Sequence, residues 1–126
     1  MSTTPYEDQK QYVDAAQMAY KLAREHLPRY AHAKSPHHFT FQQLGGIVLL
    51  RTVMRLSYRE MQQFLLDSDE VRRAFDLRNV PDYSTLMRTE VKMKSQINEM
   101  LHKFLLQMQA NNIPLTWMGY LGASIR

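Results

Sequence analysis

Ser84, Thr85, Arg88 and Lys92 are the residues of this 126-residue chain whose types and spacing best suit chemistry on a partner: two hydroxyls, then two cations a turn apart. They follow Val80, Pro81 and Asp82. Pro81 cannot continue a helix and pushes Val80 to extended geometry, so a new helix is expected to open at Asp82 to Ser84. Hydroxyls and free N–H groups on a helix's first turn suit phosphate oxygens, and an arginine one turn on can meet a guanine edge with two parallel hydrogen bonds. Ser84, Thr85 and Arg88 are therefore expected nearest the bases of a DNA duplex. Arg59, Arg72, Arg73 and Lys92 are expected nearest its phosphates. Bond-making chemistry is not expected: no nucleophile elbow, Gly-rich phosphate loop or paired-acid constellation occurs, and no residue is assigned a catalytic role.

The segment before Pro81 must brace these residues. Ser57 and Glu60 form a capping box that starts a helix, with Tyr58, Met61, Phe64 and Leu65 facing a core and Arg59, Gln62 and Gln63 facing water. Asp67 and Ser68 interrupt it. Ser68 caps a second short helix with Asp69 and Glu70 in its first turn, Val71, Ala74 and Phe75 inward, and Arg72 and Arg73 outward. Short helix, turn, short helix, tight loop and third helix is the arrangement of a helix-turn-helix reader. A plain helical bundle would use the same caps and stripes, and that reading stays open.

Outside this unit the pattern is also helical. Thr4, Pro5 and Glu7 signal the start of a helix running from Pro5 to Leu27, with a seam of Val13, Ala16, Tyr20, Ala23 and Leu27. Residues 27 to 38 read as a linker. His26, His32, His37 and His38 lack the spacing and the carboxylate or cysteine partners of a metal site, so no metal or cofactor is expected. Thr40 and Gln43 cap the next helix, which runs from Phe41 to Leu56, is apolar nearly all round and belongs at a bundle's centre. Gly45 and Gly46 within it imply a backbone that must approach closely. Arg51 and Arg55 either pair with Asp67 or Asp69 or extend a phosphate-binding face.

Tyr83 to Ala110 reads as one long helix with a wide apolar stripe, including Leu86, Met93, Ile97, Met100, Phe104 and Met108. The Ile97, Met100, Phe104 spacing is that of a short coiled-coil seam, which keeps a homodimer through this helix open. Asn111, Asn112 and Pro114 end it, and Leu115 to Ile125 is a short apolar tail rich in strand formers. The expected fold is all-α: a small helical bundle containing a helix-turn-helix-like segment and a long C-terminal helix. Residues 1–38 form an N-terminal helix and linker, 39–110 the helix-turn-helix-like domain and 111–126 the tail.

Composition bounds the partners. A net charge of +4 and a pI near 9.5 permit a polyanion, yet residues 57 to 110 hold eight Lys or Arg and eight Asp or Glu, so any cationic face must arise from placement. Cysteine is absent, no apolar run can span a bilayer and no signal peptide is visible, so a cytoplasmic location is expected, without membrane contact.

The runs S-Y-R-E-x-x-x-F-L at Ser57 to Leu65 and V-P-D-Y-S-T-L-x-R at Val80 to Arg88 resemble the N-terminal region of bacterial insertion-sequence transposases of the DDE class. The likeness extends upstream through Phe41 to Leu56. It implies a partnership with double-stranded DNA at transposon ends, ahead of an RNase H-like catalytic domain. In that family a strand after this helix brings in the first catalytic aspartate, whereas no Asp follows Asp82 here, and two-metal phosphoryl transfer needs several convergent carboxylates. The expectation is a truncated, DNA-binding transposase fragment without catalysis. The alternatives are a free-standing regulator or transposition inhibitor that self-associates, and a helical protein-interaction module with no nucleic-acid role.

Overall fold

The computed structural model describes residues 5–30 and 38–113, residues 5–9 as backbone only. Six helices occur among them and no strand: α1 (Pro5–His26), α2 (Phe41–Met54), α3 (Tyr58–Asp67), α4 (Asp69–Ala74), α5 (Tyr83–Lys92) and α6 (Ile97–Ala110). The fold is an all-helical bundle. Thr4, His32, Pro36, His37 and the apolar tail from Pro114 lie outside the described residues.

Helix α2 is the centre because the middle of its sequence leaves it no polar side. Gly45 to Leu50 are all buried, and α1, α5 and α6 pack around it. Both expected capping boxes are present: the Thr40 and Ser57 hydroxyls accept from the Gln43 and Glu60 N–H groups, and the Gln43 and Glu60 side chains accept from the cap residues' own N–H groups. Gln43 also reaches the turn after α4, donating to the carbonyls of Phe75 (3.0 Å) and Asp76 (2.9 Å).

The face of α1 is broader than its expected seam. Ala15, Ala16, Ala19, Leu22, Ala23 and Leu27 are buried, while Val13 and Tyr20 are half-buried at its edges. These alanines let α2 approach the α1 backbone, and the glycine where it comes nearest is Gly46. Helix α1 also packs on α4 and α6, and its buried side chains share one core with those of residues 41–113.

One expectation is corrected. The segment Tyr83 to Ala110 is two helices, because α5 packs on α2 and α3 whereas α6 packs on α1 and α2, and the chain turns between Met93 and Gln96 to serve both. The Gln96 N–H donates to the Met93 carbonyl at 2.8 Å in that turn. Periodicity did not reveal it, since Leu86, Met93 and Met100 keep a seven-residue spacing across the break and all three are fully buried.

Helix ends here use no glycine among the described residues. Arg55, Asp76 and Asn112 take the left-handed conformation after α2, α4 and α6. After α6, the Ile113 N–H donates to the Met108 carbonyl (2.9 Å) and the Asn112 N–H to the Gln109 carbonyl (3.1 Å), a Schellman ending with Asn in glycine's usual place.

Candidate nucleic-acid interface

Helix α5 is positioned from α3. The Tyr83 N–H, unsatisfied within its own helix, donates to the Gln62 side-chain oxygen at 3.0 Å. Arg59 lies over the Tyr83 ring, 4.0 Å from its centroid, and donates to its hydroxyl at 2.8 Å. Gln62 was expected to face water; it is half-buried because it supplies this acceptor.

The first turn of α5 is closed on itself. Asp82 caps it, accepting from the Ser84 N–H at 3.0 Å and also from the Ser84 hydroxyl. The Thr85 N–H donates to the Asp82 carbonyl, and the Thr85 hydroxyl accepts from Arg88 at 3.3 Å. The free N–H groups and hydroxyls that the sequence placed here for phosphate are thus engaged locally. The two hydrogen bonds from Ser84 hold the Asp82 carboxyl below its ordinary value of 3.8, with a smaller contribution from the positive charges of Arg88 and Arg59. A depressed folded value means that the cap stabilises α5 above the ordinary value and is lost as pH falls through the folded one. Wild type should therefore melt above Asp82→Ala at neutral pH, with the gap between the two melting temperatures closing below about pH 3.8; a gap that is constant in acid contradicts this.

Glu90, the only carboxylate within α5, is turned inward. It accepts from Arg51 of α2 at 3.0 Å and from the Tyr58 hydroxyl of α3 at 3.0 Å. Arg51 also donates to the Leu56 carbonyl at 2.8 Å and lies 4.3 Å from the centroid of the Tyr58 ring. Burial pushes the Tyr58 phenol up, and its bond to the Glu90 carboxylate adds to this. The expected partners of Arg51, Asp67 and Asp69, are replaced by Glu90. The cluster was readable in part: Glu90 sits four residues after Leu86 and three before Met93, a lone acid on a buried stripe.

The outer face of α5 consequently shows cations. Ser84, Arg88 and Lys92 lie four residues apart in one row, with Arg88 and Lys92 exposed. Tyr83, Met87 and Val91 form the row beside it, and Met87 and Val91 are 45% and 72% exposed. Sequence reading missed this apolar row, because apolar residues four apart on a helix ordinarily mark the face that packs on a core. Arg59 is exposed at its Tyr83 end.

The two α4 arginines differ: Arg73 faces outward as expected, whereas Arg72 is drawn in. Arg72 is not turned outward: it donates to the carbonyls of Leu65 (2.6 Å) and Leu66 (2.8 Å) and pairs with Asp69 at 3.1 Å, satisfying the C-terminal end of α3. Both of its Nη nitrogens are engaged within the fold. Arg73 is exposed but pairs with Asp69 at 2.5 Å, on a helix whose packing partners are α1 and α3.

Elsewhere, Arg51, Thr52, Arg55, Leu56 and Ser57 line a shallow open hollow, and Lys10, Asp14, Gln17, Met18, Lys21 and Asn111 line another. Among the described residues no group of three or more His, Asp or Glu could hold a metal ion, and no helix is long and apolar enough to cross a membrane. No protein-family model, no characterised protein and no solved structure matches this chain.

Proposed function

We propose that this chain is a helical DNA-binding module of the kind found at the N-terminus of insertion-sequence transposases, acting in the cytoplasm on double-stranded DNA at transposon ends and lacking catalytic residues of its own. The observation that carries the reading is the charge sorting on α5: its one acid faces Arg51 and Tyr58, so its exposed charged side chains, Arg88 and Lys92, are both positive. In a module that is neutral over residues 57 to 110, such sorting creates a local footprint for phosphate. Clamped by Gln62 and Arg59, α5 is the helix of this unit that enters a major groove. Arg88 takes the base-reading position, Ser84 and Thr85 shape the turn beside it, and Lys92 and Arg59 meet phosphates.

A fluorescence-anisotropy titration of the full chain against duplex DNA, repeated over a range of salt, tests this. Arg88→Ala should relax sequence preference at a cost of about 1 to 3 kcal/mol, whereas Lys92→Ala should weaken all sequences alike and reduce the salt slope by about one. If both variants titrate as wild type does, the assignment of this face to DNA fails.

The exposed Met87 and Val91 favour one other reading, a protein-docking helix without a nucleic-acid role. A flat response to duplex DNA at low salt, where nonspecific phosphate binding is strongest, would select it. For a self-associating regulator the α6 seam offers little, since Met100, Phe104 and Met108 are fully buried within one chain and Leu106 is the exposed large apolar side chain of α6.

A further inference from the structure

We infer that the apolar row of α5 reads the 5-methyl group of thymine, so that the module selects a G·C pair with a thymine one or two steps away; this rests on the reading of α5 as the helix in the groove. One observation combines with two general properties of valine. Val91 is 72% exposed and Met87 45%, one turn apart and directly beside the Arg88 and Lys92 row. Helix propensity gives no reason for an exposed valine, which is a poorer helix former than the lysine, glutamine or glutamate usual on a solvated face. Its χ1 is held to one rotamer in a helix, so its methyl groups are presented at a fixed place and lose little freedom on docking.

The partner chemistry follows from what a major groove displays. Its base edges carry hydrogen-bond donors and acceptors and one apolar group, the thymine methyl. An apolar row flanked by cations along Arg88 and Lys92, and by Arg59 at its Tyr83 end, is complementary to such an edge between two phosphate backbones. Val91 lies three residues beyond Arg88, about 4.5 Å along the helix axis, which spans one to two steps of about 3.4 Å on a strand. A thymine beside Val91 and a guanine beside Arg88 therefore fit one docking of α5.

The test separates this inference from the reading beneath it. A 20-bp duplex is enriched by binding to the full chain from a randomised pool at low salt, then resynthesised with each thymine in turn replaced by deoxyuridine, which removes only the methyl group. At one position wild type should lose about fourfold in affinity. Val91→Ala, at an exposed position that the fold does not need, should bind the thymine duplex about fourfold more weakly and no longer distinguish thymine from deoxyuridine there. Enrichment of a site that wild type binds equally well with uracil at every position overturns the inference while leaving DNA binding intact, and so does a Val91→Ala variant that still discriminates. Failure to enrich any duplex overturns both.

Discussion

Glu90→Ala is expected to lower the unfolding free energy by about 2 to 4 kcal/mol. Breaking a fully buried ion pair costs about 3 to 5 kcal/mol, because the surviving charge is left desolvated without a partner. The discount reflects partial exposure, the side chains of Arg51 and Glu90 being 15% and 29% exposed. The survivor would be badly placed: the Arg51 Nε is already buried without a hydrogen-bond partner, and loss of Glu90 would also strip the Tyr58 hydroxyl of its acceptor. Urea unfolding measures the loss. The double variant Arg51→Met with Glu90→Leu should recover part of it, since an apolar pair of similar volume leaves no unpaired charge, although the Tyr58 hydroxyl and the Leu56 carbonyl still lose their partners. A Glu90→Ala loss under about 0.5 kcal/mol would mean that the pair behaves as an exposed one.

Gly46→Val is expected to cost about 3 kcal/mol or more. A Cβ at Gly46 would lie 2.9 Å from the Phe75 ring, 3.1 Å from the Tyr20 Cα and 3.3 Å from the Ala19 carbonyl oxygen. Two of these are α1 backbone, and Phe75 is fully buried, so none can swing aside. For Ala the helix-propensity gain of about 1 kcal/mol offsets part of an overpacking cost of about 1 to 3 kcal/mol; the two further methyls of Val add to the second without raising the first. Gly45 is the internal control. Its nearest obstacle is the terminal Cδ1 of Leu27, the far end of a flexible side chain, so Gly45→Ala should be milder than Gly46→Ala in the same guanidinium titration. The reverse order would place the close approach of α1 and α2 elsewhere.

The parts of this fold legible in the sequence are those decided within one or two helical turns. The capping boxes at Thr40 and Ser57, the cap at Ser68, the helix start at Asp82 to Ser84 and the apolar middle of α2 depend on neighbours a few residues away, and they appear as read. What was not legible depends on direction and on long-range partners. The turn at Met93 leaves the apolar stripe in phase, so no local signal marks it. Arg72 serves α3 carbonyls that no spacing rule identifies, and Gln62 answers an N–H group 21 residues away. Glu90 carried a faint signal, an acid on a buried stripe, but its partner Arg51 lies 39 residues back.

That same long-range pairing gives α5 its character. With Glu90 drawn inward, the helix shows solvent an apolar row and a cationic row, and the first turn that seemed to offer hydroxyls to phosphate is instead sealed by Asp82. Under the proposed docking, base reading rests on Arg88 and Val91, with Ser84 and Thr85 engaged in the turn before them.

The most direct measurement is a ¹⁵N–¹H amide titration of the full chain with a duplex of mixed sequence at low salt. The account predicts shift changes concentrated on residues 83 to 95 and around Arg59, fading as salt is raised. Changes confined to α1 and α6, or none at all, would contradict it.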